Sequence, residues 1–327
     1  MSTIRWGIFS TGKIARAFAA ALRDTPDAVL AGVASRSADK AAAFCDEFGG
    51  QPYGSYEALA AATDIDVIYI GTPHPQHAAN ALLALDGGKA VLCEKPFTMN
   101  RREAEAVVAK ARAKKLFLME AMWSRFLPAL EAAKQIVEAG EIGAVTQLTA
   151  DFGFTAHVGP EHRLLNPELG GGALLDLGIY PLSLAAWFLG PVADVRAFGE
   201  LRDGAIDTHT GFLLRHESGA ISNCTASLRG RSPVELTVVG ERGFVRVHSM
   251  FYRAQAITVE KDDGSKRTVE APYLGNGYVH EALEVQRCLR AGLTESPRMP
   301  LDATLHLMGV LDTIRSQIGL RYTADGP

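Results

Sequence analysis

The chain of 327 residues has few cysteines, little excess charge and no unbroken apolar run of membrane length. Its four cysteines, Cys45, Cys93, Cys224 and Cys288, are far apart and form no C-x-x-C pair. That spacing argues against a disulfide framework, a zinc ribbon or a thioredoxin-like site, and fits a reducing, cytoplasmic setting. Lys and Arg total 33 against 37 Asp and Glu, a net charge of −4, so no nucleic-acid or other general polyanion partner is expected. Two windows are poor in charge, residues 67–85 and 177–193, but the first holds Pro73, His74, Pro75, Gln76, His77 and Asn80 and the second Pro181 and Gly190. Neither is expected to span a membrane. The first residues show no basic region leading into a long apolar one, so no signal peptide is expected.

What is present is an ordinary globular composition, 47% apolar and 21% charged. At roughly 150 residues per domain the length predicts two domains. Surface scaling predicts about 13,000 Å² folded against about 51,000 Å² unfolded, enough burial for a full core.

Residues 1–122 alternate β-rich runs (4–10, 29–35, 67–70, 90–93, 116–120) with helical segments (13–23, 76–85, 100–114 and one capped by Ser37). Strands separated by helices of this length predict right-handed crossovers and a doubly wound parallel α/β sheet of the Rossmann type. From 123 to 327 the pattern changes. Helices over 128–139 and 173–189 and a long alternating strand over 144–154 precede strand-like runs at 195–201, 208–215, 220–228, 234–239, 244–248 and 256–260. Short turns such as Glu217-Ser218-Gly219 predict a large, mainly antiparallel open sheet in an α+β domain. Two helices, 278–291 and 301–318, end the chain, and no internal repeat is evident.

The chemistry collects at the strand ends of the first domain. Ser10-Thr11-Gly12-Lys13-Ile14-Ala15 follows the first strand where a dinucleotide fold expects G-x-G-x-x-G/A, with Ser10 at the first glycine position. At the ribose position stand Ser35 and Arg36, with Lys40 on the next helix: a hydroxyl and two cations instead of a carboxylate. This favours NADP, with NAD as the alternative. Thr72-Pro73-His74-Pro75-Gln76-His77 follows the third strand of this series, and Glu94-Lys95-Pro96 the fourth. The histidines are candidates for hydrogen bonds to cofactor or substrate, although a lone histidine is more often structural than catalytic. A lysine at the crevice edge polarises a carbonyl or lowers a neighbour's pKa, whereas a surface pair with Glu94 is its structural alternative.

Further on stands Gly170-Gly171-Gly172-Ala173-Leu174-Leu175-Asp176-Leu177-Gly178-Ile179-Tyr180. Asp176 and Tyr180 are four apart, on one face of a helix. With E-K-P and D-x-G-x-Y in this order, the chain resembles the glucose–fructose oxidoreductase/inositol dehydrogenase (Gfo/Idh/MocA) family over nearly its whole length. The segment Glu120-Ala121-Met122-Trp123-Ser124-Arg125-Phe126 and the D-x-G-x-Y ending are most similar to its dimeric dihydrodiol dehydrogenase and NADP-linked D-xylose dehydrogenase group. Many members carry histidine where Tyr180 stands, and Ser10 departs from their usual glycine. The resemblance implies that Lys95, Asp176 and Tyr180 are the catalytic group. A tyrosine accepting a proton at pH 7 needs roughly 4 kcal/mol of stabilisation, which a lysine cation, a helix N-terminus and a dry cleft supply together. Lys95 as the direct proton relay, and Tyr180 as a core aromatic, stay open.

Ser10, Thr11, Gly12, Lys13, Ile14, Ser35, Arg36, Lys40, Thr72, Pro73, His74, His77, Glu94 and Lys95 are the candidate cofactor contacts. Trp123, Arg125, Phe154, Tyr180, Tyr252 and Tyr278 are the candidate substrate walls. The other histidines show no H-x-H or H-x-x-x-H spacing, and no metal is expected. The expected activity is hydride transfer between NADP(H) and a carbinol or carbonyl carbon of a sugar or vicinal diol. Alternatives are an NAD-dependent redox glycoside hydrolase and a non-catalytic nucleotide sensor, although a sensor has no need of Lys95 and Tyr180. The second domain's sheet has one face left for a symmetry mate, carrying Cys224, Ala226 and Leu228 or their opposites, so a homodimer or dimer of dimers is expected.

Overall fold

Val67–Ile70 is apolar at every position and buried at every position, as a strand covered on both faces must be. In the computed structural model, which describes residues 3–326, this strand is β4 of a six-stranded sheet. The others are β1 (Ile4–Phe9), β2 (Ala28–Ala34), β3 (Gln51–Tyr53), β5 (Ala90–Glu94) and β6 (Leu118–Ala121). Their order is β3-β2-β1-β4-β5-β6, and every pairing is parallel. The order reverses between β1 and β4, which makes the carboxyl ends of those strands the ligand-binding crevice of such a sheet. Helices α1 (Lys13–Arg23), α2 (Ala38–Phe48), α3 (Tyr56–Ala61), α4 (His77–Asp86) and α5 (Arg101–Lys114) form the crossovers. Ser37, Ser55 and Asn100 cap α2, α3 and α5 through their side chains. No side chain caps α1.

A second sheet contains β7 (Val145–Gly153), β8 (Val192–Arg202), β9 (Ile206–His216), β10 (Ile221–Ser227), β11 (Leu236–Gly240), β12 (Gly243–Val247), β13 (Ala256–Lys261) and β14 (Lys266–Glu270). Its order is β14-β13-β12-β11-β7-β10-β9-β8. All pairs are antiparallel except the central β7–β10 pair, because β7 is inserted between β10 and β11. Three short elements escape the sequence reading: β3, α3 and the charged edge strand β14, whose Lys266-Arg267-Thr268 is exposed and shows no apolar alternation.

Helices α6 (Pro128–Glu138) and α7 (Ile179–Leu189) pack on one face of this sheet. Ala197, Phe212, Leu214, Cys224, Ala226, Leu148 and Val238 point to that face and are buried. Cys224 and Ala226 therefore belong to the core, and the free face is formed by their opposites. Pro167–Leu189 is the one helical segment among the described residues long and apolar enough to cross a membrane, and 89% of its most apolar window is buried inside the protein.

The chain divides into two units, one running to Trp123 and including Leu274–Leu305, the other Ser124–Tyr273 with the residues from His306 onward. The first break falls one residue from the boundary expected at 122/123, and the difference is that Leu274–Leu305 groups with the first unit. The helix α8 (Val279–Arg290) returns to the first unit, packing beside α1, and Asn276 Nδ2 donates to the Ala17 carbonyl at 2.7 Å. The last helix, α9, is Leu301–Ile318.

Candidate active site

In the first unit, Ser10 ends β1 with φ +124°, a conformation that L side chains rarely adopt and glycine takes freely. Its Oγ accepts the Gly12 N–H at 3.0 Å, which offsets part of that strain. Gly12 is the N-cap of α1, and the first turn holds no acidic residue. A Cβ built on Gly12 would meet only the Ser10 hydroxyl, at 3.3 Å, so the backbone is open to close approach. The uncapped amides of Lys13 and Ile14 and the positive end of α1 suit a pyrophosphate.

At the end of β2, the buried Ser35 accepts the Ser37 N–H through Oγ at 3.3 Å and keeps its own proton to donate. Arg36 and Lys40 are exposed beside it in sequence. After β4, Thr72 Oγ1 accepts from Asn80 Nδ2 at 3.0 Å, and the His74 and His77 rings meet edge-on at 5.7 Å. At the end of β5, Glu94 Oε1 accepts the Tyr69 hydroxyl at 2.5 Å and Oε2 accepts the Lys95 N–H at 3.2 Å. The Lys95 side chain is half-buried. Glu281 of α8 is fully buried, and neither of its carboxyl oxygens has a hydrogen-bond donor among the described residues. Burial, with the Glu94 charge added, holds the Glu281 carboxyl well above the usual carboxylate range. Buried Trp123 stacks on Tyr278 with ring centroids 4.4 Å apart.

In the second unit, Leu174–Gly178 is a π-helical turn that runs directly into α7. Such wide turns within helices concentrate at functional sites. Asp176 lies on this turn, nearly buried, and Arg163 grips it with both guanidinium arms at 3.0 and 3.2 Å. Tyr180, 7% exposed, sits one turn further, 5.6 Å from Phe152 and 5.6 Å from Tyr252 between ring centroids. Tyr252 stacks on Phe152 at 4.6 Å. The π-turn thus carries a charge-paired carboxylate, and α7, which continues it, carries Tyr180 in a cluster of three aromatic rings.

Comparison with known proteins bears on these same segments. Residues 4–122 match the model of an oxidoreductase family with an NAD-binding Rossmann fold, and 130–246 match the GFO/IDH/MocA C-terminal domain. A trans-1,2-dihydrobenzene-1,2-diol dehydrogenase of Mus musculus is 36% identical, covering 98% of this chain and 99% of its own. The chain belongs to the GFO/IDH/MocA oxidoreductase family. Another relative, the D-xylose 1-dehydrogenase (NADP(+)) of Hypocrea jecorina, is 34% identical over 98% of this chain and 93% of its own. Among solved structures, a 3-ketoreductase from Actinomadura kijaniata in complex with NADP and TDP-benzene is 28% identical, with TM-score 0.85, covering 97% of this chain and 98% of that one. An aldose-aldose oxidoreductase from Caulobacter crescentus gives 26% and 0.88, with coverages of 96% and 97%.

Membership makes the protein an oxidoreductase whose first unit is an NAD-binding Rossmann domain. Within that frame several expected contacts take other work. His77 is fully buried, with Nδ1 2.9 Å from the Pro96 carbonyl and Nε2 2.8 Å from the Thr72 carbonyl. It lies between the two crevice loops, and burial lowers its pKa. Glu94 is likewise turned to Tyr69 and the Lys95 amide. Arg125 is buried and holds α7, donating to Ser183 Oγ at 2.9 Å and to the Ser183 carbonyl at 2.7 Å. Phe154 lies beyond the end of β7, and the ring cluster uses Phe152 in its place. Sequence reasoning missed Arg163, Ser183, Asp207 and Glu281. For Asp207, a carboxylate in the alternating run of a strand was the available signal. For Arg163, in an irregular segment 13 residues before its partner, there was none.

Proposed function

We propose that this protein is an NADP-dependent dehydrogenase or reductase that transfers a hydride between the nicotinamide and a CH–OH carbon of a sugar or vicinal diol. The observation that carries the reading is that the consecutive π-turn and α7 carry Asp176, held by Arg163, and Tyr180, set among Phe152 and Tyr252. Tyr180 exchanges the proton of the carbinol oxygen. Lys95 supplies the positive charge that favours an alkoxide or phenolate, and Asp176 orients the polar end of the substrate. Phe152 and Tyr252 offer a flat apolar wall, which suits a cyclic diol or the carbon face of a sugar ring.

When bound, NADP(H) supplies the hydride acceptor or donor. Ser10 to Ile14 hold its pyrophosphate and Arg36, with Lys40, its 2′-phosphate. The diol dehydrogenase and NADP-linked xylose dehydrogenase relatives, and the NADP complexes of the ketoreductase, support this choice of substrate class and cofactor. Four free thiols, three of them buried, support a reducing compartment. The free face of the second sheet exposes Phe198, Leu213 and Ile221 on adjacent strands, which supports a homodimer formed through that face.

The deciding experiment screens pentoses, hexoses, anhydrosugars and aromatic trans-diols against NADP and NAD, following absorbance of the reduced nicotinamide. Turnover of a sugar or diol with NADP is expected. Glycoside hydrolysis by protein that retains NAD through purification, without net reduction, would replace this reading by the hydrolase alternative.

A further inference from the structure

Asp207 has no part in the scheme above, yet it holds the start of the segment on which that scheme depends. It is the second residue of β9 and is fully buried. Its Oδ2 accepts the Leu174 N–H at 2.8 Å and the Thr210 hydroxyl at 2.6 Å. Leu174 opens the π-turn that carries Asp176 and leads into α7 with Tyr180. The other oxygen, Oδ1, has no hydrogen-bond donor among the described residues. Gly172, at φ +127°, passes so close to Oδ1 that any Cβ there would collide with it. On the other side, the Tyr322 hydroxyl donates to the Gly171 carbonyl at 2.5 Å. Arg315 lies 5.4 Å from the centroid of the Tyr322 ring and is itself held by Asp312 and Asp325. The glycine approach to the π-turn is thus clasped by two side chains, from β9 and from the C-terminal segment.

A carboxylate accepts stronger hydrogen bonds than the neutral acid, and a negative charge is favoured at the start of a helical segment. We propose that Asp207, as a carboxylate, is a positioning residue for the reaction: it fixes the Leu174 peptide and with it the setting of Asp176 and Tyr180, and its protonation loosens that hold. The inference rests on Tyr180 being the proton relay of the proposed hydride transfer. Burial pushes the Asp207 carboxyl up to about 6, against the opposing pull of Thr210 and Leu174. The groups around it are few. Tyr322 is pushed well above its ordinary value by burial and by the Asp207 charge, so it stays neutral throughout. Arg315 keeps its charge behind Tyr322, and Asp176 is paired with Arg163 on the turn. On the flanking surface Arg229 pairs with Glu200 and Arg202 with Asp203, and His209 is exposed further along β9.

The test uses the full chain saturated with NADP and measures kcat and KM from pH 5 to 9 for the wild type, Asp207→Asn and Thr210→Val. The wild type should lose kcat on an acid limb near Asp207's own titration, with NADP affinity unchanged. Thr210→Val removes a donor that favours the carboxylate and should move that limb to higher pH. Asp207→Asn should lose about tenfold or more in kcat at pH 8, with no limb of its own. Independently of activity, the Leu174 amide proton should shift in NMR spectra as the wild type is taken from pH 8 to 5. Wild-type kcat and pH profile in Asp207→Asn, or a Leu174 amide indifferent to pH, would overturn the proposal. If Asp207→Asn does not fold, Thr210→Val and the amide titration decide. Absence of any turnover in the wild type sinks the hydride-transfer reading and the positioning role with it, while the amide titration still reports whether the clasp exists.

Discussion

At the scale of single residues, Tyr180 and Arg36 carry the sharpest expectations. Tyr180→Phe keeps the ring among Phe152 and Tyr252 and deletes only the hydroxyl, so it should fold and bind NADP normally. Turnover should fall by about 10² or more, as for a lost acid–base group, and steady-state kinetics with NADP titrations will show it. Arg36 is exposed, so its charge-assisted bond to a 2′-phosphate is partly screened and contributes toward the lower end of ~1.5–3 kcal/mol. Arg36→Ala should therefore reduce the NADP/NAD efficiency ratio by roughly tenfold, and an unchanged ratio would release Arg36 from that role. Asp207 also leaves a mark on stability. Its folded pKa is raised from 3.8 to about 6, so the folded state holds this proton more tightly than the unfolded chain does. Its contribution is greatest at acid pH and is lost as pH rises from about 4 through 6, by roughly 3 kcal/mol. His77 works in the opposite sense, because its lowered pKa costs stability as pH falls below its ordinary value. The difference between wild type and Asp207→Asn in urea unfolding at pH 4.5 and 7.5 isolates the Asp207 contribution and should be larger at acid pH.

At the scale of elements, the π-turn and α7 are fixed from several sides. Asp207 holds the Leu174 amide, Arg163 holds Asp176, and Arg125 holds the Ser183 hydroxyl and carbonyl. Because Arg125 is buried, a lysine cannot reproduce its two-armed contact and leaves Ser183 incompletely satisfied. Arg125→Lys should destabilise the protein by about 1–3 kcal/mol and lower kcat more than NADP affinity. Chemical denaturation and a KM-against-kcat comparison check both parts. A similar economy holds in the first unit, where His77 joins the loops after β4 and β5 and Tyr69 joins β4 to the end of β5 through Glu94. Buried hydrogen bonds thus link the ends of β4 and β5 at the crevice edge.

At the scale of the whole molecule, strands β8, β9 and β10 of the second sheet turn one face inward and leave the other exposed. Phe198 is 86% exposed, with Leu213 and Ile221 nearby on β9 and β10, while Ala197, Phe212 and Cys224 turn inward. An aromatic side chain left this open on a sheet face is best covered by a second copy, since an isologous pairing buries the same patch twice. Phe198→Glu should convert the proposed dimer to monomer at micromolar concentration without lowering Tm of the protomer, as light scattering and calorimetry will report. A wild-type monomer at that concentration would remove the dimer from the proposal.

What the sequence determined by itself was the part of the protein written in local order. The unbroken apolar run at β4, the Ser37 cap, the glycine-poor turn at Ser10 and the E-K-P and D-x-G-x-Y segments each state their conformation or chemistry within a few residues. Parallel crossovers then follow from handedness and helix length, so five strands of the six-stranded sheet were legible in the sequence, while the three-residue β3 was not. Only tertiary structure decided where β7 inserts beside β10, that α8 returns to the first unit, and what the buried polar groups do. His77 and Arg125 read as site residues from their position after a strand; the fold sets the His77 ring between the Pro96 and Thr72 carbonyls and has Arg125 donate to Ser183, 58 residues away. Arg163 and Asp207 became visible only when the fold brought them to Asp176 and Leu174, 13 and 33 residues away. A buried polar group is satisfied by whatever the fold brings within about 3 Å, and no local pattern records that choice.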